Sequence, residues 1–145
     1  MGAFSKTEDV IIVVDTNVLI SALFWGGRLQ AFGYLINSRR IILAFSPATV
    51  EELSEVVHYP QVVAKAHRRG IEPMPIVDLL VAHSIIVIPK QTVSVIKDDP
   101  DDNIFLACAL AAQASFIVSG DKHLLVFKSF GGIPIVTPRE FLSWF

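Results

Sequence analysis

Four stretches of this chain place acids where the neighbouring apolar residues have no packing need for them. Val10-Ile11-Ile12-Val13-Val14 is closed at once by Asp15, and Phe116-Ile117-Val118 is followed by Ser119-Gly120-Asp121. Short apolar runs without alternation read as strands buried on both faces, as in a parallel sheet, and such sheets bind ligands beyond the carboxyl ends of their strands. Two central parallel strands would therefore open Asp15 and Asp121 into one crevice. Capping is the competing account, with Asp15 serving a helix that starts at Asn17 and Asp121 one that starts at Lys122.

A third acid comes from Lys97-Asp98-Asp99-Pro100-Asp101-Asp102-Asn103, which stands before the charge-free stretch 104–112. Like charges this dense repel and raise one another's pKa unless a cation compensates them, and a divalent metal would be that cation. Alternatively Asp98, Asp99 and Asp101 form a solvated turn, with Asp101 or Asp102 capping the helix. The helix after Ser46 carries Glu51, Glu52 and Glu55. Glu51 and Glu55 share the face away from Val50, Leu53 and Val57, whereas Glu52 lies nearer that apolar stripe and is the preferred fourth acid. His58, His67, His83 and His123 occur singly, so an oxygen donor set suits Mg²⁺ or Mn²⁺ rather than zinc. Carboxylates around such a metal are suited to phosphodiester hydrolysis. Asp15-Thr16-Asn17-Val18 lacks a dinucleotide fingerprint and a Walker A lysine, and no Ser-centred hydrolase elbow occurs.

The elements that must position these acids alternate. Strands are expected at 10–14, 41–45, 84–88, 116–118 and 133–136, with 93–96 as a short extended piece. Helices are expected at 18–23, 28–38, from Pro47 to near His58, 62–69, 75–82, from Asp101 or Asp102 to Gln113, 124–127 and 138–144. This order predicts an α/β fold, a three-layer α/β/α sandwich around a central, mainly parallel sheet.

Composition limits the function further. With 145 residues, one domain spanning 1–145 is expected, and 52% hydrophobic against 18% charged residues excludes a disordered chain. A formal charge of -2 excludes a broadly basic nucleic-acid surface and leaves only a local patch. Cys108, alone in an apolar stretch, reads as a buried thiol. No apolar run is long enough to cross a bilayer and the first residues lack the order of a signal peptide, so no membrane association and a cytoplasmic location are expected.

Taken in order, Val13-Val14-Asp15-Thr16-Asn17-Val18-Leu19, Glu52-Leu53 with Glu55-Val56-Val57, Asp99-Pro100-Asp101-Asp102-Asn103 before Phe105-Leu106-Ala107, and Ser119-Gly120-Asp121-Lys122 before Leu124-Leu125 resemble a PIN-domain ribonuclease, similar to the VapC-type toxins of toxin-antitoxin pairs. The resemblance spans almost the whole chain. It implies that Asp15, Glu52, Asp102 and Asp121 coordinate Mg²⁺ or Mn²⁺, with Asn17 and Ser119 holding a carboxylate or water in place. It further implies an endoribonuclease that leaves 5′-phosphate and 3′-hydroxyl ends, an antitoxin partner and a homodimer. Ser119 stands where the family commonly has Thr. Substrate grip would rest on Arg28, Arg39, Arg40, Lys65, Arg68, Arg69 and Lys122, with Phe24 and Trp25 as a candidate partner surface. The alternative from a different class is a nucleic-acid- or partner-binding protein that keeps the carboxylates without turnover.

Overall fold

The computed structural model describes residues 10–26, 33–35, 38, 40–97 and 100–145. β1 (Val10–Val14) leads into α1 (Thr16–Ile20), which continues as a π-helical turn over Ser21–Trp25. Then follow β2 (Ile41–Phe45), α2 (Pro47–Val57), α3 (Pro60–Arg68), α4 (Pro73–Ala82) and the short β3 (Ile85–Ile86). A 3₁₀ turn (Pro100–Asp102) opens α5 (Asn103–Ala112), which is followed by β4 (Phe116–Val118) and α6 (Lys122–Leu125). β5 (Ser129–Phe130), β6 (Ile133–Val136) and α7 (Pro138–Leu142) complete the chain.

The sheet order is β3-β2-β1-β4-β6-β5. Every pairing is parallel except β5 with β6. The strands are apolar on both faces because both faces are covered. Ile12 and Val14 of β1 join Leu43, Phe45, Phe116 and Val118 in one core, closed by Leu19 and Phe24, by Leu53 and Val57 of α2, by Val77 of α4 and by Phe141 of α7. Val13, one residue out of step, joins Ile117 and Ile135 in a second core beneath Phe105, Leu106, Cys108 and Ala109 of α5. The period of two along each strand thus produces the three layers. On the first side Trp144 stacks on Phe116, with ring centroids 5.1 Å apart, and anchors the closing helix.

Local chemistry sets the helix starts. Ser46 caps α2 by accepting from the Thr49 backbone N–H, Thr49 Oγ1 accepts from the Ser46 N–H in return, and Pro47 occupies the first helical position. The strand expectations change at three places. β3 is limited to Ile85–Ile86, since only those residues pair with Ala44 and Phe45 of β2. Residues 93–96 form no strand; Ile96 is instead tied to Asn103. β5 falls outside the expected strands, because two residues after a turn leave no hydrophobic period to detect. Most of the helix expected at 28–38 lies outside the described residues, of which 33–35 are helical.

Candidate metal centre

Parallel register creates the centre. Val14 of β1 lies beside Val118 of β4, and the ladder continues one step as the Asp15 N–H donates to the Val118 carbonyl at 3.0 Å. Asp15 and Ser119 are therefore side by side at the carboxyl edge. Ser119 is fully buried, and its hydroxyl donates to Asp15 Oδ2, which also accepts from the Gly120 N–H at 3.2 Å. Ser119 Oγ in turn accepts from the Asp121 N–H at 2.9 Å, so one serine fixes the segments bearing both acids.

The capping account of Asp15 is correct and incomplete. Oδ1 accepts from the Val18 N–H at 2.9 Å and caps α1, while Oδ2 faces the β4 edge. Burial pushes the Asp15 carboxyl above its ordinary pKa; the bonds from Ser119, Val18 and Gly120 pull it back without cancelling that rise, and the charge of Asp121 adds to it. Asp121 likewise caps α6, with Oδ1 accepting from the His123 N–H at 2.8 Å. Partial burial pushes Asp121 up, but a hydrogen bond shared with the Asp102 carboxyl, the His123 backbone bond and the charges of His123 and Lys122 outweigh it and hold Asp121 below its usual value.

Asp102 does not take the capping role that the competing account offered it. It occupies the residue before α5, yet its backbone is already helical, with φ -73° and ψ -18°, and its side chain makes no capping bond. The carboxylate is buried and turned to Asp121 instead. Asn103 holds this turn. Its Oδ1 accepts from the Ile96 N–H at 2.9 Å, and its Nδ2 donates to the carbonyls of Ile96 at 2.9 Å and Pro100 at 3.0 Å.

Ligand atoms of Asp102, Asp121 and His123 all lie within 4.8 Å of one another. Two carboxylates and an imidazole at that spacing fit a divalent cation, whose bonds to oxygen and nitrogen are about 2.0–2.2 Å long. Neither Asp15 nor Glu52 belongs to this tight group. Asp15 adjoins it through Ser119, and Glu52, half-buried on α2, has its Oε2 atom shielded from solvent. Asn17 is exposed on the first turn of α1. Asp98 and Asp99 lie outside the described residues.

The PIN-domain profile matches residues 11–123, a span that runs from β1 through Asp121 and ends at His123. The chain belongs to the PIN-domain family. Among solved structures, it is similar in fold to a VapBC2 structure from Rickettsia felis, crystallised bound to a DNA fragment from their promoter. The TM-score is 0.54 at 13% identity, over 88% of this chain and 98% of that one. No curated protein matches the sequence.

This PIN domain differs from the sequence expectations at His123, in the basic group and at Phe24. His123 occurs singly in sequence, whereas the turn into α6 returns its ring to Asp121, with Nδ1 3.4 Å from Oδ1. The detectable signal was the Asp-Lys-His order itself: an N-cap acid and the residue two positions later share the first turn of a helix. The basic group at 65–69 is largely committed to structure. Arg69 Nε donates to the Phe24 carbonyl at 3.0 Å, Lys65 Nζ stands 4.4 Å from the centre of the Trp25 ring, and His67 pairs with Glu72 at 3.1 Å. Phe24 is core rather than partner surface, at 1% exposure. Arg40 lies over the Phe145 ring, and Arg28 and Arg39 fall outside the described residues. Lys122, exposed beside the acids, and Arg68, exposed at the end of α3, retain outward cations from the expected set. Among the described residues, no helix is long and apolar enough to cross a membrane.

Proposed function

We propose that this PIN domain is a metal-dependent endoribonuclease that hydrolyses RNA to 5′-phosphate and 3′-hydroxyl ends, and that it is the toxin of a toxin-antitoxin pair. The observation that carries the reading is the meeting of Asp102, Asp121 and His123 ligand atoms within 4.8 Å, beside Asp15 at the carboxyl edge of the central strands. Asp15, Asp102 and Asp121 would hold Mg²⁺ or Mn²⁺, with Glu52 of α2 as the fourth acid. A bound cation lowers the pKa of water and neutralises charge developing on phosphate oxygens.

The chain's own residues set the geometry. Ser119 and Gly120 hold Asp15 with one carboxylate oxygen aimed at the β4 edge, and Asn103 fixes the turn that presents Asp102. Lys122 offers a cation to the phosphate backbone beside the acids, and Asn17 offers an amide at the rim. A water oxygen bonds to phosphorus as the bond to the 3′-oxygen breaks, and the departing oxygen takes a proton. Steering by net charge is absent at -2, so substrate contact is local. The likeness to a VapBC pair supports a protein antitoxin as partner, and a homodimer is the expected assembly.

The test is incubation of a mixed RNA panel with purified protein and Mg²⁺, Mn²⁺ or chelator, beside an Asp102→Asn protein prepared identically. Metal-dependent cuts bearing 5′-phosphates, lost in the variant, are expected. Equal cutting by both proteins would refute the assignment of Asp102, and RNA binding without new ends would favour the non-catalytic binding protein.

A further inference from the structure

We infer that His123 supplies a nitrogen ligand to the cation held by Asp102 and Asp121, and that the site therefore selects Mn²⁺ over Mg²⁺. The inference rests on the metal-site reading above and adds to it a ligand and a selectivity.

The position of the ring is fixed rather than incidental. The His123 N–H is bonded to Asp121 Oδ1, which locks residue 123 into the first turn of α6 and brings its side chain to the carboxylates. The side chain is 34% exposed, yet Nδ1 itself is shielded from solvent and lies 3.4 Å from that same oxygen. Two donor atoms that share a cation stand about 3–4 Å apart when each is about 2.1 Å from the ion, and this pair already has that spacing.

The other histidines make their contacts outside this cluster. His58 Nδ1 bonds the Ser54 carbonyl at 2.6 Å, His83 Nδ1 bonds the Leu79 carbonyl at 2.8 Å, and His67 pairs with Glu72. A nitrogen ligand at the acid cluster is thereby assigned to His123. Its chemical consequence is selectivity. Mg²⁺ prefers oxygen donors and keeps several of its waters, whereas Mn²⁺ shares the preference for carboxylates but, as a first-row transition ion, takes a nitrogen donor more readily than Mg²⁺ does.

Calorimetric titration of the full chain with Mn²⁺ and with Mg²⁺, and pulsed electron paramagnetic resonance of the Mn²⁺-loaded protein, test this without reference to activity. Wild type is expected to give ¹⁴N coupling to the bound ion. His123→Gln is expected to lose that coupling and to bind Mn²⁺ roughly 10-fold or more weakly, with Mg²⁺ affinity changed less than about 3-fold. Mn²⁺ binding that is lost in Asp121→Asn but shows no nitrogen coupling in wild type would overturn the inference and leave the metal site standing. A wild-type protein that binds no Mn²⁺ would refute both. Should His123→Gln fail to fold, the wild-type nitrogen coupling alone decides.

Discussion

Asn103 makes a quantitative demand on the account. Its amide bonds both backbone groups of Ile96, itself 4% exposed, and the carbonyl of Pro100. Asn103→Ala removes all three bonds and leaves the Ile96 N–H and carbonyl among apolar neighbours. A buried backbone group deprived of its partner costs about 1–3 kcal/mol, and water reaches the Pro100 side more easily, so the expected loss is about 2–4 kcal/mol. An unfolding entropy of about 2.1 cal/mol/K per residue converts this to a fall in Tm of roughly 7–13 °C for a chain of this length. The same substitution releases the turn that presents Asp102, so Mn²⁺ affinity should fall about 10-fold at a temperature where the variant is folded. Urea unfolding measures the first effect and calorimetric titration the second. Phe141→Leu, in the core on the other side of the sheet, is the control that loses stability while keeping its Mn²⁺ affinity. A stability loss below about 0.5 kcal/mol, or equal Mn²⁺ weakening in both variants, would refute the role given to Asn103.

Other parts of the structure make further demands. At Mn²⁺ concentrations 100-fold above Kd, wild type should gain about 2.7 kcal/mol, a rise of roughly 9 °C in Tm that chelator reverses and Asp102→Asn lacks; an equal rise in the variant would place the ion elsewhere. Burial pushes the Cys108 thiol up to about 11, despite countering bonds with Ser46 and Thr49, so the folded protein should resist thiol reagents at pH 8 and react only once unfolded. Because that pKa is raised in the folded state, its stabilising contribution is complete below about pH 9 and is lost as pH rises toward 11. The loss amounts to about 2–3 kcal/mol, and unfolding curves of wild type and Cys108→Ala between pH 8 and 11 should diverge accordingly. Arg69→Ala should lower stability by about 1 kcal/mol through the lost bond to the Phe24 carbonyl and leave RNA affinity unchanged; a clear loss of RNA binding would restore the basic group at 65–69 to the substrate path.

The sheet was legible where burial on both faces writes an unbroken apolar run. β1, β2, β4 and β6 fall where such runs end in Asp15, Ser46, Ser119 and Thr137. The acids were legible for the related reason that a carboxylate closing such a strand has nothing to pack against. Hidden from sequence was the direction in which each side chain turns. Asp102 holds a capping position by number, and only its helical backbone and its approach to Asp121 show that it does not cap. In sequence His123 shows only Asp121, two residues before it, as a partner, while Asp102 arrives from a distant turn. Asn103 resembles any polar residue at a helix start until Ile96, seven residues back, returns to it. Lys65 and Arg69 carry charge in sequence, while the Trp25 ring and the Phe24 carbonyl that occupy them come from a distant helix.

The central claim is that the carboxyl edge of β1 and β4 holds a catalytic divalent cation. Anomalous diffraction from crystals of the protein soaked in Mn²⁺ locates such an ion directly. The account predicts a peak bound by Asp102 and Asp121, at the edge where Asp15 and Ser119 meet. Saturating Mn²⁺ that gives no peak there, or a peak only at another site, would contradict it.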